Sequence, residues 1–140
     1  MSRSKIDIPE QFTFSTDIPV RITDINYGGH LGNDKVLTLV HEARIQFLKH
    51  HGFSELDFAG TGLIMKDAII EFKNEVFYGD TIKAWVAVQN LTKIGFDVVY
   101  RLDKNKGEAV VALAKTGMIC YDYSRKRIAA VPDSAKEIFS

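Results

Sequence analysis

Three polar side chains able to do chemistry, Asp24, Asn26 and His30, fall within seven positions of one another. Gly28, Gly29 and Gly32 are interleaved with them. Glycine lets backbone approach a ligand closely or adopt a positive φ. A helix pattern follows at once from Asp34, so free N–H groups and the positive end of a helix dipole face the same loop. Polar groups gathered at a helix N-terminus can polarise a carbonyl or hold an anion.

Each candidate also has a plainer reading. Asp24 is either a catalytic carboxylate or a strand-end residue bonding the loop backbone, as Asx turns do. Asn26 has no titration in the useful range, so it can orient water or hold the loop but cannot be a base. His30 could serve as acid, base or oxyanion donor, or equally as a helix cap or exposed loop residue. Further along, Glu42 lies on a helix side shared with Thr38 and Lys49, away from Val36 and Val40. A carboxylate on that side, facing a cleft or a subunit interface, could act as a base. Arg44 falls on the apolar side and requires a partner. His41, His50 and His51 do not form a metal-ligand set with nearby carboxylates; His50-His51 suits the helix C-terminus. The run Ser124-Arg125-Lys126-Arg127 reads as a solvated turn. No glycine pattern has Rossmann or P-loop spacing, and no serine sits in a nucleophile-elbow context.

The elements that position these residues follow from periodicity. Residues 1–10 read as a mobile lead-in. Gln11 to Ile22 alternates as a strand, with Pro19 placing it at an edge or bend. Asn33 is the expected N-cap of a helix from Asp34 to about His51, stopped by Gly52. Val36, Leu39, Val40, Ala43 and Phe47 form its apolar face, widened by Leu37 and Leu48, so the helix should be largely buried. Ser54 to Gly62 is a turn. Strands are expected at Leu63 to Phe77, Thr81 to Thr92, Phe96 to Leu102 and Glu108 to Tyr123, with a last short strand at Ile128 to Val131. Turns fall at Gly79-Asp80 and around Asn105. A terminal helical turn starts near Pro132. The order strand, helix, then four or five strands predicts an α+β fold, one antiparallel sheet around one helix. The centre of the strand from Glu108, Ala109 to Ala114, is apolar on both faces, which predicts cover from the helix on one side and a partner chain on the other.

Composition sets the bounds. The 140 residues suit a single domain, residues 1–140. Lys plus Arg and Asp plus Glu are equal at 18 each, so bulk charge favours neither nucleic acid nor an acidic membrane. The lone cysteine, Cys120, excludes an internal disulfide and reads as a small buried hydrophobe. No run is long enough to span a bilayer, and Met1 to Asp7 lacks an apolar signal core. A cytoplasmic protein is expected.

The motifs resemble those of the hotdog-fold thioesterases, in particular the groups similar to 4-hydroxybenzoyl-CoA thioesterase and the plant acyl-carrier-protein thioesterases. The matching residues are Asp24-Ile25-Asn26, Gly29-His30, Gly32-Asn33 and Glu42-Ala43-Arg44. Tyr78-Gly79-Asp80-Thr81, the strand ending near Tyr121 and the tail from Arg127 to Pro132 add to them. The likeness spans about Phe12 to Pro132. It implies a hotdog fold, an antiparallel sheet wrapped around one long central helix, and a homodimer or dimer of dimers with sites at the interface. It also implies hydrolysis of acyl-CoA or acyl-carrier-protein thioesters, with no cofactor and no metal. Gly28, Gly29, Leu31, Gly32 and Asn33 would bind substrate, and the carbonyl would be polarised at the helix N-terminus.

Two positions depart from the family pattern. Asn26 stands where several members carry the catalytic acid, and Val36 where a helix tyrosine is common. The expected base therefore moves to Glu42, with His30 and Asn26 positioning water and substrate and Asp24 organising the loop. Two alternatives stay open. One is a hotdog hydratase/dehydratase, disfavoured because Asp24 and His30 are six apart and Tyr27 replaces the usual proline. The other is a non-catalytic acyl-CoA-binding dimer.

Overall fold

The computed structural model describes residues 6–29, 31–105 and 107–139. Its elements in order are β1 (Phe14–Pro19), a short 3-10 turn (Ile22–Asp24), α1 (Asn33–His50), β2 (Gly62–Phe72), β3 (Thr81–Gln89), β4 (Gly95–Lys104), β5 (Ala109–Asp122), β6 (Arg127–Ile128) and α2 (Asp133–Phe139). The strands form one six-stranded antiparallel sheet in the order β1-β3-β4-β5-β2, with β6 paired to the end of β5. This is the expected α+β hotdog architecture, a sheet whose inner face packs on one long helix.

Strand alternation decides the packing. Ile82, Ala84 and Val86 of β3, Val98, Tyr100 and Leu102 of β4, and Ala112 and Ala114 of β5 are buried together with Val36, Leu39, Val40, Ala43, Phe47 and Leu48 of α1. Val40 and Ala43 are fully enclosed. Each large apolar side chain buried this way contributes about 1.5–3 kcal/mol. Cys120 is a buried thiol, as its setting in the sequence suggests, and burial pushes its pKa up. Within the expected lead-in, Ile6 is buried.

Several boundaries differ from the sequence reading. β1 ends at Pro19 and not at Ile22. Proline cannot continue the ladder, Val20 N bonds Asp80 O at 3.2 Å, and the chain then tightens into the 3-10 turn. β2 stops at Phe72, five residues before the expected end, because Lys73 N and Asn74 N both turn to Val111 O, at 2.8 and 3.2 Å. The N-cap of α1 is Gly32, and Asn33 is its first helical residue. Gly52, at φ 83°, ends the helix as expected. The helix is less enclosed than its pattern suggested. Leu37, Thr38, His41, Glu42, Ile45 and Lys49 are exposed, so one flank of α1 is open in the protomer.

Candidate active site

The loop from Asp24 to Gly32 is a hairpin pinched at its base. An Ile25–Leu31 bridge and a bond from Gly32 N to Asp24 O (3.1 Å) close it. Asn26 makes an Asx turn, its Oδ1 accepting from Gly28 N at 2.9 Å, and its carbonyl accepts from Gly29 N at 3.0 Å. Gly29 sits at φ 86°, a conformation costly for any residue with a Cβ. Leu31 N donates to Val76 O at 2.7 Å, which ties the loop to the segment between β2 and β3. His30, expected to take part in the reaction, lies outside the described residues.

Asp24 is the anchor of this loop. It is 1% exposed and accepts from Arg21 N (2.9 Å), Arg21 Nε (3.3 Å) and the Arg21 guanidinium at Nη2 (3.1 Å). Burial pushes its carboxyl up, but the hydrogen bonds and charge of Arg21 outweigh burial and hold it below the usual carboxylate range. Asp24 is thus ionised and already engaged.

Asn26, Leu31 and Asn33 line one cleft of about 410 Å³ with Val36, Val76, Val111, Phe72, Lys73, Asn74 and Glu75. Its floor is apolar and its rim carries amides and charges. The first turn of α1 opens on it, and the cap residue Gly32 offers no side chain to the N–H groups of that turn. Gly32 is buried, and a Cβ there would lie 2.6 Å from Asp34 Oδ1.

Glu42 is elsewhere. It is exposed and lines a second cleft of about 430 Å³ with Asp17, Arg21, Thr38, Ile45 and Gln46. Gln46 Nε2 donates to Glu42 Oε2 at 2.8 Å, and the Thr16 hydroxyl bonds the Gln46 carbonyl oxygen in turn. The protomer therefore brings Asn26, Leu31 and Asn33 together and sets Glu42 apart, with Arg21 reaching from the Asp24 anchor into Glu42's cleft.

A third cleft, of about 440 Å³, opens between α1 and β2, lined by His41, Arg44, Glu55, Leu63 and Met65 among others. Arg44 is 5% exposed and has the partners its position demanded: Nε donates to Glu55 Oε1 at 2.6 Å and Nη1 to Tyr100 Oη at 3.2 Å. Tyr100 Oη and Thr116 Oγ1 are 2.7 Å apart, and His41 Nε2 meets Glu55 Oε2 at 3.2 Å. Burial pushes Glu55 up, but Arg44 and then His41 draw it below the carboxylate range.

The sequence model of the thioesterase-like superfamily matches residues 20–139. The chain belongs to the thioesterase-like superfamily. The enzyme class expected from the motifs, hydrolysis of thioester bonds, is the one that names this superfamily. No curated protein matches the chain. Among solved structures, the fold is shared with a 1,4-dihydroxy-2-naphthoyl-CoA thioesterase from Synechocystis, at TM-score 0.81 and 19% identity over 90% of this chain and 94% of the other. A DHNA-CoA thioesterase from Staphylococcus aureus gives TM-score 0.79 at 19% identity, covering 89% of each chain. A gentisyl-coenzyme A thioesterase gives 0.80 at 20% identity, covering 91% of this chain and 100% of the other.

The sequence reading of this thioesterase-like chain missed Phe72, Lys73, Asn74, Glu75 and Val111 as cleft residues. A signal was present: Lys73-Asn74-Glu75 puts three polar residues in a row inside an expected strand. It also missed Glu55 as Arg44's partner. That pairing joins a helix to a loop eleven positions on and leaves no local pattern.

Proposed function

We propose that this protein hydrolyses acyl thioesters in the cleft at the N-terminus of α1. The observation that carries this reading is the opening of that cleft on a first helical turn whose cap, Gly32, has no side chain to occupy it. Backbone N–H groups and the dipole end would polarise the thioester carbonyl. Leu31, Val36, Phe72, Val76 and Val111 would take the acyl or aryl group, and Asn26 and Asn33 would position carbonyl and water. Gly28 and Gly29 hold the turn that presents Asn26, and Asp24 holds the loop. The solved relatives named for 1,4-dihydroxy-2-naphthoyl-CoA and gentisyl-CoA support a CoA thioester as substrate, with an acyl carrier protein as the other carrier to test.

Water attack is assisted by a general base, a role the sequence reading assigns to Glu42, with His30 assisting. Because Glu42 lines a separate cleft of the protomer, that assignment requires substrate to extend over the first turns of α1 or a second copy of the chain to bring Glu42 to the site. Thiol release from a panel of acyl-CoA and acyl-carrier-protein thioesters tests the activity. Turnover undiminished in Glu42→Ala and in His30→Ala removes those two roles. One observation favours a second reading. The Asn26 side chain already bonds Gly28 N, in keeping with a site that binds acyl-CoA without turnover. Saturable binding with no thiol release would decide for it.

The functional unit is proposed to be a homodimer. Among the described residues β2 pairs with β5 alone, leaving a strand edge on which Met65, Ile69 and Phe72 are exposed. An unpaired edge with apolar side chains favours pairing with a second copy. A monomeric mass by light scattering at micromolar concentration would count against it.

A further inference from the structure

Within one protomer Glu42 lines a cleft that shares no lining residue with the Asn26 cleft, and Asn26 supplies an amide and not a base. We infer that Glu75, on the segment between β2 and β3, is the general base of the Asn26 cleft. This rests on the hydrolase reading above.

Three observations converge on it. Glu75 lines the same cleft as Asn26 and Asn33, and it is the one carboxylate among the described residues that do so. Its backbone is held at two successive carbonyls: Lys104 Nζ donates to Glu75 O at 3.0 Å, and Val76 O accepts from Leu31 N at 2.7 Å. That second bond ties the Glu75 segment to the loop carrying Asn26. Finally, the lining of this cleft combines a carboxylate with amide side chains and apolar residues beside the first turn of α1. Of the charged groups nearby, Lys73 on the same rim pairs with Glu71 at 3.3 Å, and the Lys104 ammonium bonds the Glu75 backbone carbonyl.

The step balances without a cofactor. The Glu75 carboxylate takes a proton from water as the water oxygen bonds to the thioester carbon. The oxyanion collects charge at the first turn of α1. It then collapses, the carbon–sulfur bond breaks, and the thiolate takes the proton from the Glu75 carboxyl. A carboxylic acid and a thiol leave.

The test uses the full-length protein and the best thioester from the acyl-CoA panel. Glu75→Gln keeps the shape and removes the base. It should lower kcat about 100-fold or more, the range of general-base catalysis, with KM within about threefold, and abolish the acid limb of kcat against pH. Glu75→Asp should retain part of the rate and of the acid limb. Glu137→Gln, on the exposed side of α2, should match the wild type. Matched thermal melts establish that each variant is folded. An active wild type with Glu75→Gln at undiminished kcat and an unchanged pH profile overturns the assignment while leaving the hydrolase reading intact. A wild type that releases no thiol from any thioester overturns both.

Discussion

Along α1, two polar regions lie about three turns apart and are built on opposite terms. At the first turn, the glycine cap makes no side-chain bond to the helix N–H groups, and the rim of the cleft is exposed. At Arg44, the guanidinium, the Glu55 carboxylate and the Tyr100 and Thr116 hydroxyls are bonded to one another in a largely buried chain. A buried charge left alone is costly, so the second region holds its members in a single geometry. A polar group at the surface can wait for a ligand, because water satisfies it meanwhile. The contrast separates a buried set that holds the fold, as expected for Arg44, from an exposed set at the cleft proposed to bind, although both sit on one helix.

The largest effect expected from this contrast is at the anchor. Arg44→Met should destabilise the protein by about 3 kcal/mol by stranding Glu55 and Tyr100, read as a lower urea midpoint. The folded variant should keep its KM. A loss of turnover without loss of stability would instead move Arg44 into the reaction and erase the distinction.

The reverse result is expected at the first turn. Gly32→Ser offers a hydroxyl cap to the N–H groups that the carbonyl would use. Stability should change by about 0.5 kcal/mol or less, while kcat should drop about 100-fold or more, the range for loss of an oxyanion donor. The added Cβ meets only the end of the Asp34 side chain, so the fold should accommodate it. Unchanged turnover would place the carbonyl somewhere other than this helix end.

Asp24 lies between the two cases, buried like Arg44 but paired with an exposed arginine. Asp24→Asn should cost about 1 kcal/mol and loosen the loop, raising KM.

The smallest effect is in pH. Asp24 and Glu55 both have folded-state pKa values below those of the unfolded chain. The unfolded state therefore binds more protons in acid. Their stabilisation is fully present above the ordinary carboxylate range and is lost as pH falls through the lowered folded values. Glu55→Gln should flatten that acid-side decline in a urea titration run from neutral to low pH. An unaltered decline would mean that the Arg44–Glu55 pair does not couple to folding.

Much of the architecture was legible locally. Val36, Leu39, Val40, Ala43 and Phe47 repeat at helical spacing, and β3 alternates from Ile82 to Val88, because burial of one face imposes those periods directly on the chain. The need of Arg44 for a partner was legible for the same reason. The identity of that partner was not, since no local period links Arg44 to Glu55 or to Tyr100 fifty-six positions away.

The sequence by itself determined the fold class, the glycine-rich loop before the helix, and the superfamily those features belong to. It brought Asn26 and Asn33 to notice because neighbours in the chain stay neighbours in space. The tertiary structure alone decided that Glu42 and Asn26 line different clefts of the protomer and that Glu75 lines the same cleft as Asn26. A helix turns its residues away from one another every 100° or so, and a bond such as Leu31 N to Val76 O closes distant segments together.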